Sequence, residues 1–245
     1  MMFQFNLIVG LVYSVVVQAA IKDDIIHMYK NKFNGDGTYY GPTDGGTCQY
    51  DPPSKPPAGL NPIIRNFVAL NKPQFLGSYS CGMCFKVNSN GQGLGTNPIK
   101  GHFVVFVADL CPECKTGSLD FAINGDGRWK IEIQAVQCPV GNTKLEYKFQ
   151  GSNSYYIKLQ IRNARIPAVA VKIKQNGSWK AMSHSADGFW ILSDQKPVPT
   201  HNIDVQITAA NGETVHDTIP ELVNAKVLHG SQKVQFALDG NLPTA

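Results

Sequence analysis

His102-Phe-Val-Val-Phe-Val-Ala-Asp109-Leu-Cys111-Pro-Glu113-Cys114-Lys-Thr-Gly117-Ser-Leu-Asp120 is an apolar run that ends in a cluster of carboxylates. Residues 102–108 carry β-branched and aromatic side chains that pack well on a pleated surface, so they predict a strand. Asp109, Glu113 and Asp120 then gather around a Cys-Pro-Glu-Cys turn. Carboxylates at a strand end suit acid–base work on sugars, where a proton must reach a poor leaving-group oxygen. They are equally at home on solvated surface, so the rest of the chain has to decide.

Outward from that stretch, the chain of 245 residues is long enough for one large or two small domains. Charged residues are 16% of it, and glycine, proline and aromatics are plentiful. That mix favours turn-rich β structure over helical bundles, which need long Glu/Lys/Ala-rich faces. A net charge of +4 is compatible with acidic polymers or simple solubility and lacks the Lys/Arg stripe of a nucleic-acid binder. Residues 1–20 hold no charged side chain, and Leu7 to Val17 are an apolar run followed by small residues. This predicts a signal peptide over 1–19, secretion, and no membrane association after cleavage. The six cysteines, Cys48, Cys81, Cys84, Cys111, Cys114 and Cys138, all precede residue 140. The gap between the two Cys-x-x-Cys pairs is long for a zinc ribbon, and an exported chain meets oxidising conditions. Three disulfides are therefore expected, with no metal and no cofactor.

Taken in order, 20–34 reads as a polar lead-in and 35–41 as a glycine-rich turn feeding a short strand. Residues 52–62 form a proline-rich loop, and strands are expected at 67–70, 84–87 and 129–136. Residues 141–154 read as the junction. Beyond it, strands at 155–161, 168–174, 179–182, 188–192, 203–208 and 233–238 recur without helical periodicity, which predicts a β-sandwich. Asn176-Gly177 is a two-residue hairpin signal and lies in the chain's only glycosylation sequon, Asn176-Gly-Ser178.

Gly37-Thr-Tyr-Tyr-Gly41, Gly45-Gly-Thr-Cys48, Cys81-Gly-Met-Cys-Phe-Lys-Val87, Val107-Ala-Asp-Leu-Cys-Pro-Glu-Cys114 and Gly117-Ser-Leu-Asp120 occur in the first half. Gly151-Ser-Asn-Ser-Tyr-Tyr156, Ile161-Arg-Asn163, Asn176-Gly-Ser-Trp179 and Asp217-Thr-Ile-Pro220 follow in the second. In this order they resemble the expansins, and the microbial expansin-like proteins in particular. The resemblance implies a mainly β chain, with an N-terminal six-stranded double-psi β-barrel over 35–140, similar to family-45 glycoside hydrolases. An immunoglobulin-like β-sandwich over 155–240 would follow it and bind cellulose. It also implies the bridges Cys48–Cys81 and Cys84–Cys138, leaving Cys111–Cys114 to close its own turn.

Carried over by position, the resemblance places Thr38, Asp109, Glu113 and Asp120 in a polar groove, with Asp120 as the acid. Tyr40 is placed among the sugar contacts. Tyr155 and Tyr156 match a pair of tryptophans on the binding platform of microbial relatives. Trp190 or Phe189 is the candidate third aromatic, Lys148 a polar contact, and Trp179 a core residue. Related hydrolases carry a general base where this chain has Gly41 and Pro42, neither of which accepts a proton. The implied function is a secreted, monomeric protein of the extracellular cell wall. It would bind cellulose, xyloglucan or related polysaccharides and loosen walls by disrupting non-covalent glucan contacts, without hydrolysis. A lytic transglycosylase or weak glycoside hydrolase using Asp120, with Asp44 or Asp51 as a displaced base, is the enzymatic alternative. A barwin-like carbohydrate-binding or defence protein is the other.

Overall fold

A computed structural model describes residues 19–50 and 63–245. The apolar run of 7–17, Asp51 and the proline-rich segment 52–62 lie outside the described residues.

Six strands close on themselves: β1 (Phe33–Tyr39), β2 (Ile64–Asn71), β3 (Cys84–Asn90), β5 (Lys100–Cys111), β6 (Leu119–Phe121) and β7 (Arg128–Val136). Their order is β1-β6-β2-β5-β3-β7, and pairing of β1 with β7 shuts the barrel, while the short β4 (Gly93–Leu94) hangs on β7. β1 runs parallel to β6 and β2 parallel to β5, and the remaining pairings are antiparallel. Alternation fills the interior: Val87, Ile131, Ile133 and Val105 are buried, whereas Lys86 and Lys130 face out. Closure removes the sheet edges that would otherwise be open to pairing with other chains.

Two elements here differ from the sequence reading. The strand after His102 does not end at Asp109 but continues to Cys111. The lead-in is helical over residues 19–30 (α1), with Ile25, Met28 and Tyr29 buried and the Tyr29 carbonyl accepting from Gln134 Nε2 at 2.8 Å. Those three apolar side chains lie one helical turn apart and face the barrel. With so few of them among polar neighbours, the stripe is faint in the sequence.

The second half is two stacked sheets. One has the order β11-β10-β14-β15, from β10 (Ala168–Gln175), β11 (Ser178–Ala181), β14 (His201–Ala209) and β15 (Thr214–Glu221). The other is β12-β13-β9-β8-β16, from β8 (Glu146–Phe149), β9 (Tyr156–Arg162), β12 (Ser183–His184), β13 (Trp190–Ser193) and β16 (Val227–His229). Ile157, Leu159, Val171, Ile173, Val205, Ile207 and Ile219 form the buried layer of the sandwich. Asn176 (φ 49°) and Gly177 (φ 77°) make the tight β10–β11 hairpin.

Residues 141–154, read as linker, contain β8, which pairs with β9 and β16 inside the sandwich. Residues 233–238 are not a strand. They hold position through single bonds, such as Leu145 N to Val234 O at 2.9 Å, and through the buried Phe236. The edge strand is instead β15, where Pro220 near its end has no ladder bond to lose.

Barrel and sandwich share a bonded boundary. Gln160 Nε2 donates to Cys48 O at 2.7 Å, and the Arg162 guanidinium lies 4.8 Å from the centre of the Tyr50 ring. Ser78 Oγ donates to Ser185 O at 2.7 Å and accepts from Gly188 N at 3.1 Å. Beside them Tyr79 stacks on His184 at 3.8 Å, and Trp190 meets both rings edge-on.

Candidate functional site

Parallel pairing of β1 with β6 sets Thr38 directly beside Asp120, and Thr38 Oγ1 donates to Asp120 Oδ1 at 2.7 Å. The approach to Asp120 is pinned from behind. Asn71 Nδ2 donates to Ser118 O at 3.0 Å and Gly117 N to Gln74 Oε1 at 2.9 Å, and Asn71 and Gln74 are both buried. Gly35 and Gly117 let β1 and this segment touch: a Cβ on Gly35 would stand 2.2 Å from the Gly117 carbonyl carbon. Burial holds the half-buried Asp120 carboxyl above its ordinary value, and the charge of Glu113 adds to this. The Thr38 bond and Arg128 pull the other way.

Asp120 opens into a cleft of about 370 Å³ lined also by Asp36, Thr38, Glu113, Ser118 and Arg128. The Cys111–Cys114 bridge closes the turn that carries the exposed Glu113 to its rim. Cys48–Cys81 and Cys84–Cys138 are also formed, and the described residues hold no free cysteine.

Asp36, Ser118 and Arg128 were not singled out in the sequence. Asp36 lies two residues from Thr38 and so shares its side of β1, a hint that becomes specific only once β1 is known to pair with β7. Lys130 Nζ at 2.7 Å and Arg128 at 3.2 Å bind the Asp36 carboxylate. The Lys130 hydrogen bond is the main reason its pKa falls below the usual carboxylate value, and Arg128 reinforces it.

Asp109 has a different task. Its Oδ1 accepts from Thr47 N (2.7 Å), Thr47 Oγ1 (2.7 Å) and Leu110 N (2.8 Å), and its Oδ2 accepts from Tyr40 OH at 3.3 Å. It therefore organises the 40–47 segment and orients Tyr40, whose ring stays 38% exposed. Burial and the neighbouring Asp109 charge raise the Tyr40 pKa, so its hydroxyl remains a donor throughout the physiological range. Gly41 is anchored by its N–H to Ile123 O, and Asp44 sits exposed in the turn beyond.

On the sandwich, Tyr155 and Tyr156 stand at the turn that starts β9, where Asn153 Oδ1 accepts from both of their backbone N–H groups at 2.9 and 3.1 Å. That turn frees the pair from strict strand alternation: Tyr155 is 54% exposed and Tyr156 part-buried. Lys148 lies on β8, paired with Gln160.

Trp190 is 3% exposed and Phe189 fully buried, so neither offers a ring face to solvent. Trp190 is enclosed because β13 lies against the barrel boundary, where Tyr79 and His184 cover it. Trp179, expected in the core, is 38% exposed, because β11 is an edge strand with its outer face uncovered.

No family model matches the chain. Among curated proteins it is 29% identical over 224 residues to expansin-like protein 1 of Dictyostelium discoideum, covering 84% of this chain and 72% of that protein. It is 30% identical over 132 residues to expansin YoaJ of Bacillus subtilis, which spans 50% of this chain and 55% of that protein. In fold it is similar to the crystal structure of the apo expansin of Clavibacter michiganensis, with a TM-score of 0.69 at 22% identity over 85% of this chain and 100% of that one. A mutant of that protein, crystallised in complex with cellohexaose, matches with a TM-score of 0.68 at 21% identity.

Proposed function

We propose, for a chain that is expansin-like in sequence and in fold, that it is a secreted protein that grips single glucan chains of cellulosic walls and loosens their contacts without cleaving them. The observation that carries this is an imbalance among the cleft's carboxylates. Asp120 is held toward its protonated form, whereas Asp36 is bound by two cations and is thereby a weak proton acceptor. Inverting hydrolysis needs an acid on one side of the glycosidic bond and a base that activates water on the other. Asp120 would supply the first; of the other described carboxylates that line the cleft, Asp36 is tied to two cations and Glu113 lies exposed at the rim, which supports a reading without a paired base.

What remains is a hydrogen-bonding grip by Asp120, Thr38 and Tyr40, continued by the Tyr155–Tyr156 turn. Lateral glucan contacts yield to such a grip because each hydrogen bond is worth only about 1 kcal/mol net in water. The cellohexaose complex of the related Clavibacter protein supports a β-glucan as ligand. The disulfides and the apolar run before residue 20 support secretion. Residues 33–136 would act as the gripping barrel and residues 146–229 as the anchoring sandwich.

The test is wall creep measured beside reducing-sugar release from amorphous cellulose, xyloglucan and peptidoglycan. Creep without sugar release, abolished by Asp120→Ala, is the expected result. Glu113 at the cleft rim favours a second reading, lytic cleavage in which a sugar hydroxyl replaces water. Release of anhydro-sugar ends that Asp120→Asn abolishes would establish it instead.

A further inference from the structure

Of the chain's three tryptophans, Trp129 and Trp190 are 4% and 3% exposed, whereas Trp179 is 38% exposed. Burying an indole is among the larger apolar gains a side chain can make, and the part of this one that stays open is flanked by hydrogen-bonding groups, the setting in which an aromatic ring can take a ligand. It stands on the outward side of the sheet β11-β10-β14-β15. The inward side is set by the fully buried Ile173, Val205 and Ile219, and by alternation Lys174, Asp204 and Thr218 face out with Trp179.

These groups converge. The His216 ring is 5.6 Å from Trp179 at an interplanar angle of 57°. Lys174 Nζ is 5.8 Å from the centre of the Trp179 ring and 3.5 Å from Asp204 Oδ2. Thr218 Oγ1 donates to Asp204 Oδ1 at 2.8 Å. Trp179, Asp204, His216, Asp217, Thr218 and Gln232 line a cleft of about 260 Å³.

We propose that this cleft is a second glycan site, which takes a single soluble chain of uncharged pyranose sugars across Trp179. The chemistry selects that class. One apolar ring face meets the CH face of a pyranose, while donors and acceptors on either side meet its hydroxyls. The single lysine is outnumbered by the carboxylates of Asp204 and the buried Asp217, so a polyanion such as a nucleic acid or a polyuronate finds no attractive field. The exposed 3.5 Å Lys174–Asp204 pair is worth little by itself and opens readily to sugar hydroxyls. One indole is too small an apolar patch for a stable protein interface. The inclined His216 ring makes a cleft where a crystalline sugar surface would require a plane.

This site is independent of the barrel groove and lies on the sheet opposite the one that carries Tyr155 and Tyr156. Both faces of the sandwich can therefore be occupied together. The protein would then bridge a wall surface and a soluble polysaccharide.

Tryptophan emission reports the site selectively, since the other two indoles are buried. Bacterially made protein, whose Asn176 sequon beside Trp179 carries no glycan, is titrated with cellohexaose, xylohexaose, mannohexaose and, as anionic control, hexagalacturonate. A saturable change with at least one neutral sugar is expected, with none for hexagalacturonate. It should persist in the Tyr155→Ala/Tyr156→Ala double variant and weaken about tenfold in Asp204→Ala and in His216→Ala. Absence of a saturable change, an unaltered response in both cleft variants, or loss in the tyrosine double variant overturns the proposal. None of these outcomes bears on the creep assay, so the two readings fail separately.

Discussion

Thr38 and Asp120 are eighty-two residues apart in sequence and 2.7 Å apart in space, and the bond between them stabilises the ionised carboxylate. Removing it raises the Asp120 pKa further, because the other influences that remain are led by burial. If the protonated carboxyl is the gripping form, activity is present below its pKa and lost as pH rises through it. Thr38→Val should therefore shift the pH profile of wall creep toward neutrality, and Asp120→Asn should flatten it; a creep profile unmoved by both would take Asp120 out of the grip. Asp120 and Thr38 were legible as motif positions. The pinning of Asp36 by Lys130 and Arg128 was not, since it depends on a register in which Asp36 faces Lys130 across β1 and β7. Trp179 and Trp190 exchanged roles for a related reason. An indole's exposure is decided by whether another layer covers its strand, and alternation along that strand carries no such information.

At the scale of elements, β1 is placed by absence of side chain. Adding a methyl group at Gly35 would force its Cβ to within 2.2–2.5 Å of the Gly117 and Ser118 backbone, which has no rotamer to yield. Gly35→Ala should therefore cost on the order of 1–3 kcal/mol or more in denaturant melts and displace Asp120 with the 117–120 segment. A silent Gly35→Ala would mean that β1 does not lie as described. Long alternating strands such as β7, β10 and β14 were readable because each shows several periods. The three-residue β6 shows only one, yet carries Asp120. β8 was hidden by the Gly/Asn/Ser residues that flank it, and β15 by a terminal proline that an edge strand tolerates.

For the molecule as a whole, the boundary between barrel and sandwich carries its own pH response. Burial, opposed by Asp187, lowers the His184 pKa from 6.5 to about 4, so in the folded protein its ring is neutral against Tyr79 and Trp190. Below pH 6.5 the unfolded chain takes up a proton that the folded one refuses until about 4, so stability falls across that interval as pH drops. The loss is on the order of 2 kcal/mol, read as a lower Tm at pH 4.5 than at pH 7, and His184→Phe should remove most of that difference. If Asp120 grips in its protonated form, acid favours the grip and weakens the joint behind it, and the proposed activity should then show an acid limit. The barrel's closure has a further consequence, for how the protein is made. Phe33 of β1 pairs with Ile133 of β7, so the earliest barrel strand waits through about a hundred residues of synthesis for its neighbour. Folding dominated by such distant pairings is slow, and apolar strands such as Phe103–Val107 are exposed to aggregation meanwhile. During that wait Cys81 and Cys84 are nearer each other in sequence than either is to its final partner. Productive folding therefore calls for isomerisation of disulfides as well as oxidation of thiols.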